Sequence, residues 1–133
     1  MELPPLGVDE KNPILKKSRA ATGIHELDII LEGGYANPGI VMVLGPTGME
    51  KIAFAFHFAI AGIAKKEKVF YITADSSPDE IINKASSLGM ELKDCGELKF
   101  IDCYTATLGK QEQGSKHIVV PGPSALNDLS IAI

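Results

Sequence analysis

The sequence predicts an α/β domain, a mostly parallel sheet with helices on both faces, and three observations lead to it. Ile40, Val41, Met42, Val43 and Leu44 form one unbroken apolar run, and Val69, Phe70, Tyr71, Ile72 and Thr73 form a second, nearly apolar one. Continuous runs of this β-branched kind mark strands buried on both faces rather than half-solvated ones. A glycine-bearing loop and a long Ala-rich stretch follow the first run, and a helix-start signal follows the second. That alternation of strand and helix is the signature of α/β units.

The 133 residues suffice for one domain with a core but not for two of ordinary size. A composition that is 45% hydrophobic and 23% charged excludes a disordered chain. Seventeen acidic residues against thirteen basic ones leave a net charge of −4, and the basic set contains a single arginine, Arg19. Both facts count against a nucleic-acid partner, which calls for a positive face and arginine-rich contacts. Cys95 and Cys103 make no C-x-x-C pair, and His25, His57 and His117 are scattered. The spacing therefore predicts reduced thiols and no metal centre. No basic stretch precedes an apolar core at the N-terminus, and the longest apolar run, 52–64, is interrupted by His57 and too short for a bilayer. A cytoplasmic protein without a membrane partner is the expectation.

Residues 1–21 carry Pro4, Pro5, Pro13, Lys16 and Lys17 without periodicity and are read as an N-terminal arm or linker, with the domain at 22–133. Ile24, Leu27, Ile30 and Leu31 recur at helical spacing before Gly33 and Gly34, which predicts a short amphipathic helix. Pro38 and Gly39 turn the chain into the strand at 40–44. Beyond the loop at 45–51, Phe54, Phe56, Phe58 and Ile60 alternate as a strand would. Length, Ala content and the basic end at Lys65 and Lys66 nevertheless favour a helix, apolar all round and so expected to be buried.

The second buried strand is 69–73. Ser77, Pro78, Asp79 and Glu80 then spell a capping box with proline at the first helical position, Ile81, Ile82, Ala85 and Leu88 follow at helical spacing, and Gly89 ends the helix. Residues 99–104 are a third strand, 106–116 a polar loop, 118–120 a short fourth strand, and Pro121, Gly122, Pro123 and Ser124 introduce a last helix running to Ile133. His25 and His57 are expected to be partly buried on their helices, and His117 to face solvent.

Between the first strand and the long helix lie Gly45, Pro46, Thr47, Gly48, Met49, Glu50, Lys51 and Ile52, to be compared with G-x-x-x-x-G-K-[S/T]. Gly45 and Lys51 match. In a working loop, backbone amides and the helix N-terminus enclose the phosphates, the lysine neutralises them, and the hydroxyl ligates Mg²⁺. Glu50 replaces the second glycine and Ile52 the hydroxyl. A carboxylate at 4 Å from a phosphate charge costs roughly 4 kcal/mol at an effective dielectric of 20. ATP is therefore expected to bind weakly, and Mg²⁺ lacks an inner ligand. The competing interpretation is a plain strand-to-helix turn in which Glu50 meets the helix dipole in place of an anion.

Thr22, Gly23, Ile24, Leu27 and Asp28, then Leu31, Gly33 and Gly34, then Pro38, Gly39 and Ile40, and then the degenerate octet resemble, as an ordered set, the KaiC-like branch of the RecA superfamily of P-loop ATPases. The similarity continues through 68–80 and 98–102. It implies an incomplete RecA-like P-loop NTPase fold. It also implies that Asp75 and Ser76 stand where the family carries a pair of glutamates, one of which polarises the attacking water. Asp75, one methylene shorter, is a weakened candidate for that base, and the competing interpretation is a solvated residue at a strand end. The family's Walker B aspartate would fall after residue 133.

The resemblance and the altered residues together predict a non-hydrolysing pseudo-ATPase that acts as an oligomerising or regulatory module, most simply a homodimer, with a possible protein partner. The alternative is an ATP-binding subunit completed by a neighbouring protomer or by the rest of a longer chain.

Overall fold

The computed structural model describes residues 18–93, 95–109 and 117–121. They fall into two units, one ending at Met42 and the other starting at Val43. In the first, β1 (Ser18–Ala20) pairs antiparallel with β2 (Tyr35–Asn37), Ser18 opposite Asn37 and Ala20 opposite Tyr35. This strand lies inside the stretch expected to be an arm. Gly34, at φ +119°, makes the pairing possible: a Cβ there would stand 2.1 Å from the Ala20 carbonyl oxygen.

Between these strands runs α1 (His25–Ile30), the expected short helix. Its entry is held by buried Thr22, whose amide donates to Asp28 Oδ1 at 2.7 Å and whose Oγ1 accepts from the Ile24 amide at 3.1 Å. No residue of α1 is buried, and Ile29 and Ile30 are exposed. His25 is exposed as well, which corrects the expectation that it is partly buried.

The second unit contains α2 (Ile52–Ala64), β3 (Val69–Thr73), α3 (Pro78–Ser87), β4 (Leu98–Asp102), a 3-10 turn at Thr105–Leu108, and β5 (Ile118–Val119). The three strands form a parallel sheet in the order β3-β4-β5, with Val69 beside Leu98, Thr73 beside Asp102 and Ile101 beside Ile118. The protein is thus of the α/β class, as its alternation of elements predicts. Phe56 and Ala59 of α2, Ile81 and Ala85 of α3, Leu92, and Leu98 and Phe100 of β4 make one core. Ile101, Cys103 and Val120 make a second cluster, and Ile101 lies on the opposite side of β4 from Leu98 and Phe100.

Local chemistry explains α3 directly. Ser77 Oγ accepts from the Glu80 amide at 3.4 Å, the Ser77 amide donates to Glu80 Oε2 at 2.8 Å, and Pro78 occupies the first turn. Such a cap contributes about 1 kcal/mol.

Three burial expectations are corrected. Helix α2 forms, but only Phe56 and Ala59 of it are buried, while Phe54 and Phe58 are exposed. Strand β3 turns Tyr71 and Thr73 inward and leaves Phe70 and Ile72 exposed. The run at 40–44 is no strand: Ile40, Val41, Met42, Val43 and Leu44 are all exposed. A strand is completed by partners along its edges, and none of the described strands pairs with this run.

His117 is half-buried, edge-on to Phe100 with ring centroids 5.5 Å apart, rather than solvent-facing. His57 is half-buried, as expected. Both cysteines are free thiols. Residues 110–116 of the polar loop and 122–133 of the last helix lie outside the described residues. Among the described residues, no helix is long and apolar enough to cross a membrane, and no group of three or more His, Cys, Asp or Glu is placed to hold a metal ion.

Candidate phosphate-binding site

The loop between residue 44 and α2 is built by short-range bonds. The Met49 amide donates to the Pro46 carbonyl at 3.4 Å and the Lys51 amide to the Met49 carbonyl at 2.7 Å. Gly48 sits at φ +89° with open space around it, a backbone region that side-chain-bearing residues rarely enter. Although it is not one of the two motif matches, this glycine sets the shape of the loop. Gly45 has a different role, since a Cβ there would stand 3.3 Å from Lys51 Cδ. Its bareness leaves room for the lysine stem.

Lys51 folds back over the loop, and its Nζ donates to the carbonyls of Gly45 at 3.0 Å and Pro46 at 2.8 Å. These bonds are solvent-exposed, so they are cheap to exchange for a phosphate oxygen. The start of α2 carries no side-chain cap and no acidic residue in its first turn. The Ala53 and Phe54 amides donate to the Glu50 and Lys51 carbonyls at 3.0 and 3.2 Å, so what the helix start offers an external anion is its dipole rather than a set of free donors.

The two substituted positions behave differently. Glu50 reaches away to Lys84 on α3, whose Nζ donates to Glu50 Oε1 at 3.0 Å. Ile52 is half-buried and packs against the main core. That side chain is committed to the hydrophobic interior, and it offers no lone pair to a cation. The donor set present here fits the phosphates of a nucleotide and does not fit an inner-sphere Mg²⁺ site.

Asp75 lies in the exposed turn after β3. Burial pushes the Tyr71 phenol up to about 12, and the Asp75 carboxylate adds to the shift. Tyr71 thus stays neutral at physiological pH. Burial, with the Asp102 carboxylate second, also raises the Cys103 thiol, which keeps it protonated and unreactive.

Two residues that bear on these surroundings carried no signal in the sequence. Lys84 is one of several polar residues on α3, and nothing local ties it to a position 34 residues earlier. Asp102 ends β4 buried, its Oδ1 accepting from the amides of Tyr104 and Thr105 at 2.8 Å each. A cavity of about 230 Å³ lies beside it, lined among others by Glu80, Tyr104, Thr105 and His117, and none of the loop residues 45–52 borders it.

Comparison with known proteins places this geometry in context. The ATPase family described as KaiC matches residues 20–130. A UPF0273 protein of Pyrococcus horikoshii is 29% identical over 104 residues, covering 76% of this chain and 42% of that protein. A UPF0273 protein of Thermotoga maritima is 26% identical over 104 residues, 76% of this chain and 43% of its own length. The circadian clock oscillator protein KaiC of Parathermosynechococcus lividus is 27% identical over 115 residues, 84% of this chain and 21% of its own. The chain thus spans 38% to 43% of the length of the UPF0273 relatives it matches.

Proposed function

Because this chain belongs to the KaiC family of ATPases, we propose that residues 45–52 hold the phosphates of a nucleotide weakly, without turnover, in a module that works by association or regulation. The observation that carries the reading is the position of Glu50. Were the segment a plain strand-to-helix turn, this carboxylate would be expected to settle on the helix start. It bonds instead to Lys84 and leaves the start of α2 without a side-chain cap. Lys51 and the positive end of the α2 dipole bind and orient the phosphates. A bound nucleotide supplies the phosphoanhydride, and Ile52, at the position of the motif's hydroxyl, offers Mg²⁺ no inner ligand beside it.

Thermal unfolding with millimolar ADP in EDTA tests this. A rise in midpoint that Lys51→Ala abolishes is expected. The double change Glu50→Gly with Ile52→Thr, which removes the negative charge and supplies a hydroxyl, is expected to enlarge the rise and make it Mg²⁺-dependent. If neither the parent nor the double variant responds, the loop is only a turn.

The exposed run at 40–44, together with Phe70 and Ile72 on β3 at one edge of the described sheet, supports association through a second copy. A dimer or larger species is expected by sedimentation at micromolar concentration, and a compact, soluble monomer would refute it. One observation favours the alternative reading, an ATP-binding subunit completed by more chain or by a neighbour: the UPF0273 relatives are more than twice as long as the matched stretch. In that case the added chain covers the same apolar run and supplies the missing catalytic groups.

A further inference from the structure

We infer that Lys84 is a positioning residue for the phosphate loop, a latch that holds the Glu50 carboxylate out of the place an anion would take. The inference rests on the nucleotide-binding reading above.

Glu50 stands next to Lys51 and two residues before the first residue of α2, whose N-terminal amides have no side-chain cap, although those of Ala53 and Phe54 donate to the Glu50 and Lys51 carbonyls. Two positive sites therefore compete for its carboxylate. The helix start would attract it as it attracts any anion, and a tethered carboxylate arriving there would exclude a phosphate at high effective concentration. The ammonium of Lys84 is the other, and in the structure it wins, at 3.0 Å. Lys51 does not compete, because its Nζ is engaged by the Gly45 and Pro46 carbonyls.

The pair is half-exposed, 44% for Lys84 and 50% for Glu50. Its worth to folding is accordingly small. Its effect on the loop is of a different kind. With the latch closed, an incoming phosphate meets a neutral pair; with Lys84 removed, it meets a mobile negative charge that can reach the same amides. Simple loss of a distant positive charge would weaken binding equally whether or not Glu50 is present. A latch makes the loss depend on Glu50, and that dependence separates the two accounts.

The test is a double-mutant cycle on the full chain, with ADP dissociation constants measured by titration calorimetry in EDTA at low ionic strength. Lys84→Ala is expected to weaken ADP binding about threefold to fivefold in the parent and no more than about 1.5-fold in the Glu50→Gln background. Lys84→Arg, which keeps the charge and the reach, should stay within about twofold of the parent. Equal losses in both backgrounds would overturn the latch while leaving the nucleotide reading intact. Absence of ADP binding in the parent and in Glu50→Gln alike would instead defeat the nucleotide reading, and the latch with it.

Discussion

Phe56→Ala is expected to destabilise the protein by about 3–5 kcal/mol, whereas Phe54→Ala, two residues away, should cost less than about 1 kcal/mol. Phe56 is wholly buried, with its ring centroid 6.2 Å from that of Tyr71 and its neighbours drawn from α3 and β4. Truncation removes the apolar transfer energy and leaves a void among Ala59, Ile81, Ala85, Leu98 and Phe100, which come from three packed elements and relax only partly into it. Domains of this size have only about 5–15 kcal/mol to lose. Phe54 is exposed, so its removal takes little from the folded state. The contrast also decides how the alternating phenylalanines are built. A strand would put both on one face and make both truncations costly; a helix places them nearly opposite each other. Urea unfolding measures it: the midpoint should fall sharply for Phe56→Ala with an unchanged slope. Similar costs at the two positions would remove α2 from the sheet.

The second large effect is the absence of catalysis. With ATP and Mg²⁺, this chain is expected to release phosphate no faster than its Lys51→Ala variant. Two contributions are impaired together. The position that should ligate the metal is Ile52, anchored in the core, and metal stabilisation of the transferring group is worth several kcal/mol. The resemblance puts the shorter Asp75, which lies in an exposed turn, where water activation is expected, and general-base assistance contributes about 10²–10⁴-fold. A phosphate-release assay that found turnover, abolished by Lys51→Ala, would overturn the pseudo-ATPase reading. It would also point to groups supplied by another copy or by additional chain.

What could be read from the residues alone follows a physical division. The start of α3 was fully legible, because a capping box is a contact between residues three apart and needs nothing else. The strands β3, β4 and β5 were legible in place and order from β-branched runs and punctuation, and α2 from its length. Burial was less legible. Apolar character at 40–44 and at Phe54, Phe58, Phe70 and Ile72 states a preference, and whether it is met depends on neighbours that a one-dimensional pattern does not supply. The β1–β2 pairing was not visible at all. Its strands are three residues each and polar in part, and the pairing is set by the close approach of Gly34 to Ala20. At the site, the departures of the loop from the motif, Glu50 and Ile52, are legible as residues. Their consequences are not. Glu50 was weighed against a phosphate and a helix dipole, while its actual partner, Lys84, comes from another helix. Ile52 reads in the sequence as a missing hydroxyl, and the structure adds that it is half-buried against the core.

The unequal settings of the two thiols give the molecule a built-in probe. Cys103 lies with Ile101 and Val120 where solvent does not reach, protonated through burial and the charge of Asp102. Cys95 is only half-buried. An alkylating reagent at neutral pH therefore meets Cys95 in the native state and Cys103 only during openings that part β4 from its surroundings. The ratio of the two labelling rates is a direct reading of local unfolding free energy in this part of the sheet, obtained without introducing a reporter.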